Sequence, residues 1–250
     1  MSPERLAMTP EEAQRYARQI IIPEIGPAGQ ERLKAARDFI AGLGGLGSPA
    51  AYYLAAAGLG GLTIVDSDRV EIGNLNRQIL HTTRDVGWAK TTSALEKLQA
   101  LNPACHVRPI QVRLSDENLG SLLGDSAVIL DATDNMATRH VLNRASIAAK
   151  IPFIYGGIDG FSGMACTFIP GSTSCLECLF PGPSNTPATD PVGALGPMAG
   201  LVATIQCLEA IKLIVGRAPA LAGRLLKIDA LNMAFRTIEI GRNPHCTICG

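Results

Sequence analysis

The fold is decided by the stretch Phe39-Ile40-Ala41-Gly42-Leu43-Gly44-Gly45-Leu46-Gly47, which is followed by Leu62-Thr63-Ile64-Val65-Asp66. The apolar residues predict a buried strand, the glycines a tight turn, residues 47–57 a helix and residues 62–66 a second strand. A glycine-rich turn between a strand and a helix is typical of nucleotide binding, because it brings backbone N–H groups close to a phosphate. Asp66 lies where a carboxylate can accept hydrogen bonds from ribose hydroxyls. The turn alone leaves NAD, FAD and ATP open.

The same region could be mistaken for a membrane span, because residues 39–65 contain no charged side chain. Seven glycines and Pro49 interrupt it, so a buried strand, turn, helix and strand explain it better. The N-terminus has no basic start followed by an apolar core, so no secretory signal is indicated. We therefore expect a cytoplasmic protein that spans no membrane and keeps its thiols reduced unless they bind metal.

Composition excludes further classes of protein. Among 250 residues, 22 Lys and Arg balance 22 Asp and Glu. Without an excess of basic residues, nucleic-acid binding is not expected. Hydrophobic residues make up 47% and charged residues 18%, which argues against intrinsic disorder.

Periodicity along the chain predicts one α/β domain over residues 1–250. Alternating strands and helices indicate a Rossmann-like, doubly wound, mostly parallel sheet, extended by antiparallel strands near the C-terminus. Thr9, Pro10 and Glu12 form a helix-start signal, so a helix should run to about residue 21. The predicted regions are N-terminal helices at 1–37, a nucleotide-binding core at 38–170, and a metal-bearing region at 171–250 with a mobile crossover loop near 180–192.

Charged residues at strand ends narrow the choice of nucleotide. Arg77 and Lys90 lie beyond the second strand, and Asp134 and Asn135 follow the fourth. Ligands bind open α/β sheets at this edge. Two cations and a carboxylate suit a triphosphate with Mg²⁺ better than a nicotinamide.

Four of the seven cysteines form two Cys-x-x-Cys pairs, Cys175 with Cys178 and Cys246 with Cys249. Two such pairs suit a tetrahedral structural Zn²⁺ site, while a redox dithiol or a disulfide remains the alternative. Of the other three, we expect Cys105 at the surface and Cys166 and Cys207 in the interior, none of them catalytic.

Taken together, these motifs resemble the MoeB/ThiF/HesA family, the bacterial relatives of ubiquitin-activating enzymes. The resemblance extends over most of the chain and is nearest to the molybdopterin-synthase adenylyltransferase branch. The segments that carry it are Arg15-Tyr16-Ala17-Arg18-Gln19-Ile20, the glycine turn, Asp66-Ser67-Asp68, Asn74-Leu75-Asn76-Arg77-Gln78, Lys90, Thr133-Asp134-Asn135 and both cysteine pairs.

The resemblance implies ATP-dependent adenylation of the C-terminal glycine of a small ubiquitin-like sulfur carrier of the MoaD/ThiS type, which ends in Gly-Gly. It implies that Arg18 reaches the partner's ATP site in a homodimer, and that an external cysteine desulfurase or rhodanese donates the sulfur. The implied catalytic residues are Arg18, Arg77, Lys90 and Asp134, the last as a Mg²⁺ ligand. The implied nucleotide contacts are Gly45, Asp66 at the ribose, Gly73, Asn74, Leu75, Asn76, Arg77, Lys90, Asp134 and Asn135.

One departure concerns covalent chemistry. Many relatives carry a cysteine where this chain has Thr189, and threonine cannot form a thioester or persulfide. We therefore expect adenylation alone, with no rhodanese domain after Gly250. Molybdopterin and thiamin biosynthesis both remain open as pathways. Two other hypotheses are an NAD-dependent oxidoreductase, based on the turn and Asp66, and a non-catalytic carrier-binding module, based on Thr189.

Overall fold

The computed structural model describes residues 8–182 and 193–250. The helices are α1 Pro10–Arg15, α2 Ala17–Ile20, α3 Gly26–Ala35, α4 Gly47–Ala56, α5 Lys90–Leu101, α6 Asp116–Leu123, α7 Met136–Ala149, α8 Leu176–Leu179 and α9 Gly196–Ile214. The strands are β1 Arg37–Ala41, β2 Gly61–Val65, β3 His106–Ile110, β4 Val128–Asp131, β5 Phe153–Asp159, β6 Ser162–Phe168, β7 Arg224–Asp229 and β8 Ala234–Glu239. Short 3-10 helices cover Ile72–Asn74 and Thr83–Asp85.

The strands form one sheet in the order β3-β2-β1-β4-β5-β6-β7-β8. Strands β1 to β5 pair in parallel, and β5 to β8 pair antiparallel. Ala41 of β1 lies opposite Val65 of β2 and Asp131 of β4, so these strands end at the same edge of the sheet. The predicted Rossmann-like α/β sheet with an antiparallel extension is confirmed.

Both faces of the sheet are covered by helices. Phe39 and Ile40 are fully buried and, as neighbours in a strand, point to opposite faces. Ile40 packs in a cluster with Leu54 of α4 and Val202 of α9. Phe39 packs in another cluster with Leu142 of α7. The predicted doubly wound arrangement therefore follows from apolar residues on both sides of β1.

The N-terminal helix is interrupted where the sequence predicts one continuous helix. Its start is as expected, because the Thr9 side chain accepts from the Glu12 backbone N–H and the Glu12 side chain accepts from Thr9. The chain then leaves helical geometry at Tyr16, between α1 and α2, with φ −99° and ψ 11°. The Tyr16 side chain is buried and its hydroxyl accepts a hydrogen bond of 2.8 Å from Asn102. The helix is thus interrupted at the residue whose side chain is buried in the interior.

The structure differs from the sequence analysis at two places between residues 105 and 123. Helix α6 was not predicted, although Ser115 and Asn118 form a capping box at its start. Cys105 is buried rather than exposed. It belongs to the core cluster that also contains residues of α4 and α5. Burial raises the pKa of Cys105 to about 12, so its thiol is protonated and unreactive at neutral pH. Cys166 and Cys207 are buried, as predicted.

Helix α9 is, among the described residues, long and apolar enough to cross a membrane. Its residues Met198, Val202 and Ala203 are buried in the core cluster that covers the sheet. A core helix of a soluble protein passes the same test of length and hydropathy. The other candidate from the sequence, residues 39–65, folds as β1, α4 and β2.

Candidate nucleotide site and cysteine cluster

The glycine turn lies against the turn that follows β4. Gly42 has φ +93°, a conformation that favours glycine, and a Cβ there would lie 2.6 Å from the Ala132 carbonyl oxygen. A Cβ at Gly47 would lie 1.9 Å from the Gly42 carbonyl oxygen. No other residue fits at either position without moving the backbone. The turn that would receive phosphate and the segment that carries Asp134 are therefore in direct backbone contact.

Asp66 fixes the other side of the glycine turn. Its Oδ2 accepts a hydrogen bond of 2.7 Å from the Leu43 backbone N–H, and its Oδ1 accepts one of 2.8 Å from Asp68. Lys90, which is buried, places Nζ 3.0 Å from Asp68 Oδ2 and 3.9 Å from Asp66 Oδ2. The predicted residues Asp66 and Lys90 are thus adjacent. Sequence reasoning gave no role to Asp68, which supplies the carboxylate closest to Lys90.

A buried network of polar side chains, which begins with His81, contacts the Leu43 carbonyl oxygen of the glycine turn. His81 Nε2 lies 3.2 Å from the Leu43 carbonyl oxygen and Nδ1 lies 2.9 Å from Ser93 Oγ. Burial lowers the pKa of His81, so the ring is neutral, and Nε2 must carry the proton that it donates to Leu43. Lys97 Nζ contacts both Ser93 Oγ, at 2.9 Å, and Asp85 Oδ2, at 2.6 Å. Burial alone would raise the pKa of Asp85. Hydrogen bonds from Lys97 and Thr82, together with the charge of Lys97, outweigh burial and lower this pKa to about 2.

Arg77 lies beside both the glycine turn and the first residue of α9. Its side chain would be 3.6 Å from a Cβ placed at Gly45, and its Cα 3.3 Å from one placed at Gly196, the first residue of α9. Nη1 donates to the Gly73 carbonyl oxygen and to Asn76 Oδ1, both at 3.0 Å. The guanidinium is therefore held beside the turn. Gly73, Leu75 and Asn76 belong to the same segment, and Asn74 holds its start by accepting from the Glu71 N–H at 3.0 Å.

Asp134 and Asn135 begin helix α7. Asn135 caps the helix by accepting from the Thr138 N–H at 2.9 Å. Asp134 is exposed, and the hydrogen bond found for its side chain comes from Asn135 Nδ2 at 3.2 Å. An exposed carboxylate at this edge is available to a cation in solvent. The structure thus brings the glycine turn, Asp66, Arg77, Lys90 and Asp134 to the carboxyl edge of strands β1, β2 and β4.

One predicted residue, Arg18, is not brought into this group. Arg18 is exposed on α2, and no hydrogen bond or ion pair of its side chain is found within residues 8–182 and 193–250. Thr189 lies outside the described residues.

A cavity of about 660 Å³ opens at the same edge, over the antiparallel part of the sheet. Its wall includes Arg139, Tyr155, Asp159, Met164, Lys227 and Arg236. Arg139 also places its guanidinium 5.1 Å from the centre of the Tyr155 ring. Sequence reasoning did not identify this cavity, because its residues come from α7 and four different strands.

The four predicted metal ligands converge. Cys175 Sγ lies 3.7 Å from Cys246 Sγ and 4.0 Å from Cys178 Sγ, and Cys178 Sγ lies 3.6 Å from Cys249 Sγ. A tetrahedral Zn²⁺ with bonds of about 2.3 Å requires sulfur atoms about 3.8 Å apart. A disulfide needs about 2.05 Å, so neither pair is oxidised. All four sulfur atoms lie within 4.8 Å of one another, so the cluster could hold zinc.

Comparison with known proteins agrees with this geometry. A model described as the ThiF family matches residues 16–248. The sulfur carrier protein adenylyltransferase of Thermus thermophilus is 42% identical over 97% of this chain and 92% of its own length. The SAMP-activating enzyme E1 of Haloferax volcanii is 42% identical over 98% and 92%, and the molybdopterin-synthase adenylyltransferase of Escherichia coli is 37% identical over 97% and 98%.

Solved structures show the same architecture. Escherichia coli MccB with ATP superposes with a TM-score of 0.87 over 99% of this chain and 77% of that chain. Its 24% identity supports similarity of fold alone. The crystal structure of PaaA superposes with a TM-score of 0.81 at 28% identity, over 97% of this chain and 77% of that chain. The predicted family is confirmed: the chain belongs to the ThiF family, and it is an adenylyltransferase.

Proposed function

We propose that this protein uses ATP to adenylate the C-terminal glycine of a small sulfur-carrier protein. The observation that carries the proposal is the backbone contact between the glycine turn and the turn bearing Asp134, with Arg77 and Lys90 beside it. In the proposed site, the N–H groups of the turn bind phosphate, and two cations and a carboxylate for Mg²⁺ act from the same edge of the sheet. Relatives named adenylyltransferases of sulfur carriers support this reading over an NAD-dependent oxidoreductase or a non-catalytic module.

The reaction needs positioning and charge neutralisation rather than a protein nucleophile. A carboxylate oxygen of the terminal glycine attacks the α-phosphorus of ATP, and the bond from that phosphorus to the bridging oxygen breaks. The products are an acyl adenylate and pyrophosphate. In the proposed roles, Asp66 binds the ribose, and Gly45, Gly73, Asn74, Leu75, Asn76 and Asn135 form the remaining nucleotide contacts. Arg77 and Lys90 neutralise charge on the departing pyrophosphate.

Lys90 is suited to this role because its charge is already stabilised. Asp68 and Asp66 hold the buried ammonium within 3.0 Å and 3.9 Å, which offsets the cost of burying it. A phosphate oxygen can take the place of Asp68, whose side chain is largely exposed. Asp134 would hold Mg²⁺ through oxygen, and the ion would neutralise phosphate charge.

The cavity lined by Arg139 and Tyr155 suits the carrier's extended tail. It opens at the edge where the glycine carboxylate must meet the α-phosphate. Apolar and charged side chains in its wall, Met164 and Lys227 among them, can contact the carrier residues that precede Gly-Gly.

The remaining parts of the proposal concern assembly and pathway. The exposed Arg18 would enter the ATP site of a second copy, so the active form would be a homodimer. The four cysteines would bind structural zinc, and the whole chain would act as one adenylation domain in the cytoplasm. With threonine at position 189, an external desulfurase or rhodanese would supply sulfur, for molybdopterin or thiamin biosynthesis.

Exchange of labelled pyrophosphate into ATP tests the proposed function. Exchange should require Mg²⁺ and a MoaD/ThiS-type carrier from the same organism. A carrier lacking its last glycine is the control and should support none. Exchange that is absent with every Gly-Gly carrier of the organism would refute the proposal.

A pair of aspartate variants tests the site itself. Asp134→Asn should lower exchange by about a hundredfold or more, because it removes the carboxylate proposed for Mg²⁺. Asp125→Asn is the matched control, since Asp125 is exposed and pairs with Arg37 away from the site, and it should exchange like the wild type. Equal activity of the two variants would contradict the role of Asp134.

A further inference from the structure

Strands β4 and β5 separate just before the catalytic edge. Their parallel pairing covers Ile129 with Phe153 and Leu130 with Ile154, and it does not extend to Asp131. The next turn carries Asp134. A loop that leaves a sheet without continued pairing needs other hydrogen bonds to hold one conformation.

On one face of the sheet, Arg139 of α7 supplies such hydrogen bonds. Nε donates to Asp131 Oδ2 at 3.0 Å, and Nη2 donates to the Thr133 carbonyl oxygen at 2.8 Å and to the Gly156 carbonyl oxygen at 3.2 Å. One guanidinium thus joins the end of β4, the following turn and β5. Asp131 is fully buried; burial raises its pKa, and Arg139 is the main opposing influence that favours the ionised carboxylate.

On the opposite face, Gln206 of α9 makes the matching connection. Its Nε2 donates to the Asp131 carbonyl oxygen at 2.7 Å and to the Ile154 carbonyl oxygen at 3.0 Å. The side chain is fully buried and occupies the space where Gly156 has no Cβ; a Cβ there would lie 2.6 Å from the Gln206 amide. Gln206 therefore bridges the two strands where their own pairing has ended.

Thr133, the residue before Asp134, is held by hydrogen bonds with Asp131 and Arg139. The Thr133 N–H and hydroxyl both donate to Asp131 Oδ1, at 2.9 Å and 2.6 Å, while its carbonyl oxygen accepts from Arg139. Asp134 itself is exposed, and its side chain bonds to the neighbouring Asn135. The position of the Asp134 carboxylate is thus set through Thr133 rather than by contacts of its own.

We propose that Arg139 and Gln206 are positioning residues, which clamp the separated ends of β4 and β5 so that Asp134 is held ready for Mg²⁺. This proposal rests on the proposed adenylation at this edge. An arginine is needed because its planar guanidinium donates hydrogen bonds to three oxygens at once, whereas a lysine carries its charge on a single nitrogen. Outer residues that orient a metal ligand commonly affect metal affinity by about tenfold or more.

The test uses Arg139→Lys, which keeps the charge, and Gln206→Met, which keeps the volume but removes the donor. Cys207→Ala is the matched control, because Cys207 is equally buried on the same helix and faces Ala50 instead of the strand ends. Hydrogen exchange of the Thr133 amide, which donates to Asp131 Oδ1, measures whether the turn is held. The Mg²⁺ dependence of carrier-dependent pyrophosphate exchange measures whether Asp134 is placed for the cation.

In both test variants, the Thr133 amide should exchange about tenfold faster while the amides of β1 stay protected. The Mg²⁺ concentration at half-saturation should rise about tenfold. Unchanged amide exchange, an unchanged Mg²⁺ requirement, or an equal shift in Cys207→Ala would overturn the positioning role. If the wild type exchanges no pyrophosphate with any carrier, the proposed function fails, whereas amide exchange at Thr133 still decides whether Arg139 and Gln206 hold the turn.

Discussion

Replacing Asp38 by asparagine should remove a pH dependence of stability that originates in β1. Asp38 has no exposed surface, and within the described residues no hydrogen bond of good geometry reaches its carboxylate oxygens, although the Val128 backbone N–H lies close enough to oppose the effect of burial. Burial raises the pKa of Asp38 well above its ordinary value. The charge of Asp38 acts in turn on the thiols of Cys105 and Cys207, whose pKa values are raised by burial and by this carboxylate. Neither thiol can provide a positive charge.

The magnitude follows from proton linkage. In the unfolded chain, Asp38 loses its proton near pH 4, with an ordinary pKa of about 3.9. Above that pH, and up to the pKa of Asp38 in the native protein, folding must take up a proton. The free energy of unfolding therefore falls by about 1.4 kcal/mol for each pH unit in this range. The favourable contribution is complete below the unfolded pKa and is lost as the pH rises through the native one.

Urea unfolding at a fixed zinc concentration, between about pH 5 and about pH 8, measures this slope. The advantage of Asp38→Asn over the wild type should grow with pH, because asparagine has a similar volume but does not ionise. Asp125→Asn is the control; Asp125 is exposed, so its variant should follow the wild type at every pH. A constant difference between wild type and Asp38→Asn across the range would show that the native carboxyl is already ionised.

Two further predictions concern the turn and the cysteine cluster. Gly42→Ala should lower the free energy of unfolding by about 1–3 kcal/mol and weaken ATP binding in calorimetry, because φ is +93° and the new Cβ meets a carbonyl oxygen. Gly120→Ala, in the open space of α6, should instead stabilise by about 0.5–1 kcal/mol; the opposite order of the two variants would refute the steric argument. Cys249→Ser should lower both bound zinc, measured by atomic absorption, and the melting temperature, whereas Cys105→Ala should retain full zinc. Equal zinc content in both cysteine variants would remove Cys249 from the ligand set.

Local sequence signals predicted the parts of the fold that depend on neighbouring residues. The strand, glycine turn and helix that begin at β1 were predicted because an apolar run, a set of glycines and a second apolar run follow one another in the sequence. The helix predicted over residues 47–57 is α4, Gly47–Ala56. The cysteine pairs were recognised from spacing alone, and folding brings their sulfur atoms within 4.8 Å.

The sequence was less informative wherever burial or contact depends on distant segments. Cys105 follows a proline and precedes a strand, which suggested exposure, but α4 and α5 cover it. Arg139 and Gln206 are far apart in the chain, and their common target, the end of β4, is apparent only once α7 and α9 lie on opposite faces. Asp131 was given no role, because its burial could not be inferred from the spacing of the motif that follows it.

Strand β5 has one neighbour in each type of pairing, parallel with β4 and antiparallel with β6. The half of the sheet that carries the glycine turn and the half that carries the cavity therefore meet at a single strand. Substitutions in β7 and β8 can accumulate without shifting the register of β1, β2 and β4, on which the glycine turn depends. In evolutionary terms, the acyl partner of such an enzyme can diversify while its nucleotide chemistry stays constant. For protein engineering, the same division means that β7 and β8 are the segments to randomise when a new partner is wanted.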